Sequence, residues 1–208
     1  MNLRLISRLI VLVLVVAVGG LLVVHQATST SHPSVPTLKG ADLGATPAPN
    51  FTLTDSSGAA VTLSRLAGHP VVVTFLYTHC PDECPLTAEK LHTAMQQLGT
   101  KATSKVDWLV VSVDPQGDTP AAAAQFLAAH HLTGAVRYLL GTLQQLQPVW
   151  DAYHIAVAPG TDATTQVGAV THTVGAYLLD AQGRERIYLD DTFDPQTLTG
   201  DLRALGAG

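Results

Sequence analysis

The chain has 208 residues, of which 47% are hydrophobic and 13% charged, with a formal net charge of −5 and two cysteines. That length supplies one domain with a substantial core rather than two. Two of the eleven basic residues and no acidic ones lie before residue 25, which leaves nine basic against sixteen acidic beyond it, a net of −7 that excludes nucleic acid as a partner.

Residues 1–24 open with Arg4 and Arg8 and continue as an unbroken apolar run from Leu9 to Val24. Sixteen residues rising ~1.5 Å each cover ~24 Å, a thin fit to a ~30 Å hydrocarbon core that Leu5 and Ile6 extend. His25-Gln26-Ala27 supplies one of the two small residues a signal peptidase reads, so the segment is expected to stay as a membrane anchor, with a cleaved signal peptide as the alternative. The leading arginines place the N-terminus in the cytoplasm and the rest of the chain outside, as a single-pass protein of the cell membrane. Residues 25–47 are rich in Ser, Thr, Pro, Gly and Ala without apolar periodicity and are expected to be a flexible tether.

The folded domain is expected over 48–208. FTLT and VTL alternate about the turn DSSG and predict a hairpin, and VVVTFLY after Gly-His-Pro predicts a buried strand. Leu86, Leu91, Met95 and Leu98 fall near helical spacing and end at Gly99, predicting a helix directly after the cysteines. Strand WLVVSVD, helix TPAAAAQFLAAHH, strand VRYLLG, helix TLQQLQPVWDAYH, a hairpin of AYLLD and RIYLD about AQGR, and helix DPQTLTGDLRALG follow. Strands alternating with helices predict an α/β fold with helices flanking a central sheet, and the AQGR hairpin makes that sheet mixed.

Cys80 and Cys84 sit between the buried strand and the first helix. A bridge over three intervening residues closes so short a loop that it contributes only ~2 kcal/mol by loop entropy, so a purely structural disulfide explains the placement poorly. A helix N-terminus lowers a thiol pKa, and thiolates coordinate soft metals and attack disulfides. Pro81 suits a first helical position, and Pro85 is expected to distort the turn holding Cys84. Peroxidase chemistry of the peroxiredoxin kind is disfavoured, because Val73 and Tyr77 precede Cys80 where Pro and Thr would be needed.

Two thiolates satisfy Cu(I), whereas Cu(II) or Zn(II) calls for nitrogen or oxygen donors as well. Of nine histidines, His25 and His32 lie in the tether, His69 in a turn, and His130 and His131 at a helix end that favours positive charge. His79 is expected to point away from Cys80, and His92 and His154 fall on helices. His172, entering a strand ahead of an apolar run, is a candidate ligand because strand-entry loops gather at the rim of an α/β sheet.

In their order and spacing, YTHCPDECP, VSVDPQGDTP and THTVGAYLLDAQG resemble the motifs of the SCO/SenC family of copper-binding, thioredoxin-like proteins of cytochrome c oxidase assembly. The similarity runs from about Pro49 to the C-terminus. It implies a thioredoxin-like fold in which Cys80, Cys84 and His172 hold copper as Cu(I), Cu(II) or both. It further implies a metallochaperone that takes copper from a donor protein and delivers it to the copper-site subunit of a terminal oxidase. The alternative it leaves open is a thiol–disulfide oxidoreductase that uses Cys80 and Cys84 as catalytic residues to reduce the oxidase's cysteines. Asp114, Asp118 and Thr119 match the second motif and are read as caps of a helix N-terminus or as a partner-binding segment. Leu76 stands where the family often has a small residue, and Gly117 where it often has a charge.

Overall fold

A computed structural model describes residues 12–13, 38–159 and 170–208. The apolar segment assigned to a membrane anchor, except 12–13, and residues 25–37 of the tether lie outside the described residues. Among those described, no helix is long and apolar enough to cross a membrane.

The folded unit is built on an eight-stranded mixed sheet in the order β1-β10-β9-β4-β5-β6-β2-β3. In chain order these are β1 (Ala41–Pro47), β2 (Thr52–Asp55), β3 (Ala60–Thr62), β4 (Val71–Leu76), β5 (Asp107–Ser112), β6 (Val136–Leu140), β9 (Gly175–Leu179) and β10 (Arg184–Asp190). β7 (Val157–Pro159) and β8 (Val170–His172) form a separate antiparallel ribbon. The helices are α1 (Glu83–Leu98), the single turn α2 (Thr100–Thr103), α3 (Pro120–Ala129), α4 (Leu143–Ala152) and α5 (Pro195–Leu202).

β4, β5 and β6 run parallel and the remaining pairings in this sheet are antiparallel, giving the expected mixed α/β architecture. Every residue of β4 is buried, which is why Val71–Leu76 reads as a continuous apolar run instead of an alternating one. Thr74, the one polar member, donates its hydroxyl to Gly175 O at 2.8 Å and so ties β4 to the start of β9. Trp108, Tyr138 and Trp150 fill the layers around this strand, and the buried indole of Trp150 donates to Ser112 O at 3.0 Å.

Both predicted hairpins form. At DSSG, Asp55 Oδ1 accepts from the Ser57 and Ala59 backbone N–H groups, and Gly58 adopts φ +91°, a conformation glycine takes without strain. At AQGR, Asp180 Oδ1 accepts from the Gln182 and Arg184 N–H groups. Gly99 closes α1 as expected, its N–H donating to Met95 O and Gln96 O.

Residues 41–47 differ from the tether read in the sequence: they form β1, an edge strand paired antiparallel with β10. Its side chains are mostly exposed, and main-chain pairing alone needs no apolar alternation, so composition left no trace of it. Pro85 also leaves the turn holding Cys84 α-helical, where a distortion was expected. It lies in the first turn of the helix, where its missing N–H has no intrahelical partner to lose. Pro81 precedes the Asp82 N-cap and is not helical.

Candidate metal centre

β4 and β5 are parallel, and β9 runs antiparallel to β4 with Ala176 opposite Thr74. The loops after β4 and β5 and the segment before β9 therefore gather at one rim of the sheet, the place where α/β folds assemble sites. Cys80 comes from the first loop and Cys84 from the first turn of α1 that follows it, Asp114 and Asp118 from the second loop, and His172 from the end of β8.

The helix start organises the two sulfurs. The first N–H groups of a helix have no intrahelical acceptor, and Asp82 at the N-cap accepts none of them with its side chain. Instead the Cys84 N–H donates to Cys80 Sγ at 3.3 Å. Cys80 thus caps the helix with sulfur, half-buried, while Cys84 in the first turn is fully buried. The Cys84 thiol, opposed by burial and supported by the Cys84 and Asp82 N–H groups, holds the Cys80 thiol pKa down to about 6. Donation to Cys80 and burial push the Cys84 thiol far upward. The reduced pair is one ready thiolate and one retained proton.

His172 approaches from the other side, its Nε2 lying 3.7 Å from Cys84 Sγ. Nδ1 lies 2.9 Å from Thr173 O, an acceptor, so Nδ1 carries the hydrogen and the Nε2 lone pair faces the thiols. Burial lowers the His172 pKa, opposed by the bond to Thr173, and so keeps the imidazole neutral. The Tyr77 ring meets the imidazole edge-on, with centroids 5.7 Å apart. Burial, and then the negative charge of Cys80, raise the Tyr77 phenol pKa to about 12, leaving it a hydrogen-bond donor.

The structure thus brings Cys80, Cys84 and His172 together. Of the other histidines, His69 lies beside Asp107 at the opposite rim and His92 against His131. Sequence reasoning missed Tyr77, whose only signal was its place at the end of an apolar strand. It also read Asp118 together with Thr119 as helix caps or as a partner-binding segment. Only Thr119 caps α3, accepting from the Ala122 N–H at 3.1 Å. Asp118 turns inward and accepts from the Thr78 N–H at 2.8 Å, the Ser112 hydroxyl at 2.6 Å and the Tyr138 hydroxyl at 3.0 Å.

Comparison with known proteins agrees with this architecture. The mitochondrial protein SCO2 of Saccharomyces cerevisiae is 31% identical over 148 residues, 71% of this chain and 48% of the relative. The chain spans about half the length of the first such relatives it matches, 58% for the bovine SCO2 homolog and 44% for the human SCO1 homolog. Among solved structures, copper-bound ScoI of Bradyrhizobium japonicum is 31% identical with a TM-score of 0.65, covering 76% of this chain and 98% of that one. Apo Sco1 of Thermus thermophilus is 26% identical with a TM-score of 0.69, covering 83% and 99%. Residues 40–206 match the family described as SCO1/SenC, and the chain belongs to that family.

Proposed function

We propose that the chain is a copper metallochaperone that takes up copper through Cys80, Cys84 and His172 and delivers it to a copper site of cytochrome c oxidase. The observation that carries this is the Nε2 lone pair of His172 facing Cys84 Sγ at 3.7 Å, beside the Cys80 thiolate. Two sulfurs and one imidazole suit Cu(I), and the imidazole adds the nitrogen that Cu(II) prefers. The 31% identical relative with copper bound supports the same cargo. Cys84 gives up its proton as the ion binds, so uptake releases protons and requires both thiols reduced. Residues 1–24 would anchor the protein in the cell membrane, with the domain on the extracytoplasmic side facing its copper donor and the oxidase subunit that receives the ion.

Metal analysis of the full chain tests this. One Cu(I) per chain is expected with the cysteines reduced and almost none after they are oxidised, because a disulfide sulfur is not a thiolate ligand. Equal Cu(I) loading of oxidised and reduced protein would sink the proposal.

The inequality of the two thiols favours a second reading, a thiol–disulfide reductase acting on the oxidase's own cysteines. The half-buried Cys80 thiolate would attack the target disulfide, forming a mixed disulfide and releasing one target thiol. Cys84, deprotonated, would then attack Cys80 Sγ, leaving a Cys80–Cys84 disulfide and releasing the second target thiol, a transfer of two electrons. A reduction potential measured beside a copper affinity on the same protein separates the readings, since His172→Ala should alter the affinity and leave disulfide reduction nearly unchanged.

A further inference from the structure

At the same rim lies a cluster the thiol site does not use. One ligand atom each from His79, Asp114 and Asp118 lie within 4.8 Å of one another. Asp114 is only 5% exposed; its Oδ1 accepts from the Gln116 and Gly117 N–H groups at 3.2 and 2.9 Å. Its Oδ2 is buried and has no hydrogen-bond partner among the described residues. Neither Asp114 nor Asp118 has a Lys or Arg partner there; the arginine ion pairs among the described residues belong to Asp107 and Asp180. Buried carboxylates are ordinarily paired with a cation or coordinate one.

Residue 117 keeps the space between these groups open. A Cβ on Gly117 would stand 2.1 Å from Asp114 Oδ2 and 3.3 Å from His79 Nδ1, filling the gap between carboxylate and imidazole. The unpartnered oxygen therefore points into room that exists because residue 117 has no side chain. His79 is exposed and can turn a ring nitrogen toward that point, and Asp118 is held in place by its three donors.

We propose that His79, Asp114 and Asp118 form a second metal site, one imidazole nitrogen with two carboxylates, for a borderline divalent ion bound independently of the thiols. Two carboxylates balance the double charge. Mixed nitrogen and oxygen donors suit first-row divalent ions, with Cu(II) the strongest binder in their usual order and Cu(I) disfavoured. The two sites are thus chemically complementary, soft at the cysteines and harder at the aspartates.

The test is Cu(II) titration of the full chain carrying Cys80→Ser and Cys84→Ser, followed by electron paramagnetic resonance. One equivalent with coupling to a single nitrogen is expected. Adding His79→Ala should remove that coupling and weaken binding at least tenfold; Asp114→Asn and Gly117→Ala should each weaken it at least tenfold. His172→Ala should leave the spectrum unchanged. Absence of the single-nitrogen signal, or the same affinity and spectrum in His79→Ala and Gly117→Ala, would overturn the proposal. His79 is exposed, so its variant folds even if a change at Asp114 does not. Cu(I) binding by the cysteine-intact protein, measured in parallel, reports on the thiol site alone and keeps the two proposals separable.

Discussion

Carboxylates at the two rims of the sheet do opposite things. Where β4 begins, Asp180 is saturated: two backbone N–H groups, the Arg184 guanidinium at 2.7 Å and Arg186 at 3.4 Å all reach it. Burial raises its pKa, but the Arg184 side chain and the turn N–H groups outweigh this and hold it below the ordinary value. Where β4 and β5 end, burial pushes the Asp118 pKa upward despite three donors, and Asp114 keeps an unpartnered oxygen. One rim spends its charges on closing turns, and the other holds charges that local structure leaves incompletely matched. Mutations at the first should therefore register in stability, and mutations at the second in chemistry.

The sharpest way to break that division is to remove a thiol. Cys80→Ser or Cys84→Ser should cost well over the ~10–100-fold in Cu(I) affinity that even outer-shell changes cost, with little change in Tm under reducing conditions. A large fall in Tm for both would make the thiols structural.

At the other rim, Asp180→Ala should cost about 3 kcal/mol, or about 6–12 °C in Tm, by stranding partners of a buried network, with Cu(I) affinity unchanged. Because the Asp180 pKa is depressed on folding, its stabilisation is fully present above the ordinary carboxylate range. It fades as the pH falls through the lower folded value. Denaturant unfolding at pH 7 and pH 3 should show wild type and Asp180→Ala converging at the acidic end.

His172→Ala sharpens the comparison within the site itself. Cu(I) affinity should fall about tenfold, since two thiolates still satisfy the soft ion, while the stable thiolate-to-Cu(II) charge-transfer absorption disappears. His154→Ala, whose exposed imidazole stands away from the thiols, serves as the control. Equal losses in both variants would remove His172 from the site.

The smallest expected effect is in alkylation of the metal-free, reduced protein. Cys80 should react with a rate that climbs through about pH 6 and levels off above it, because the thiolate is the reactive species. In Cys84→Ala the midpoint should move upward, because the strongest donor to Cys80 is removed. A wild-type midpoint at the ordinary thiol value would show that the capping geometry does not tune the sulfur.

Most of the scaffold was legible because it rests on local signals. Apolar runs marked β4 and β5, Gly99 marked the end of α1, and DSSG and AQGR marked the turns. The cysteines were legible from their place between strand and helix. What escaped was non-local or carried by backbone. β1 pairs through main-chain groups with exposed side chains, and the β7–β8 ribbon spans too few residues for a periodicity to register. His79 looked idle because its neighbours Asp114 and Asp118 lie 35 and 39 positions further along the chain, across a strand pairing that spacing alone does not reveal. The family resemblance singled out His172, and the structure adds which nitrogen faces the thiols.

The sulfur cap on α1 couples the Cys80 sulfur to a backbone amide. Because the Cys84 N–H donates to Cys80 Sγ, the electron density on that sulfur polarises one amide proton directly. A thiolate draws the proton strongly, whereas a thiol or a disulfide sulfur draws it weakly. The Cys84 amide resonance is in effect a built-in gauge of the state of the pair, reading charge at Cys80 through a single bond in the protein's own main chain, without a dye or a bound probe.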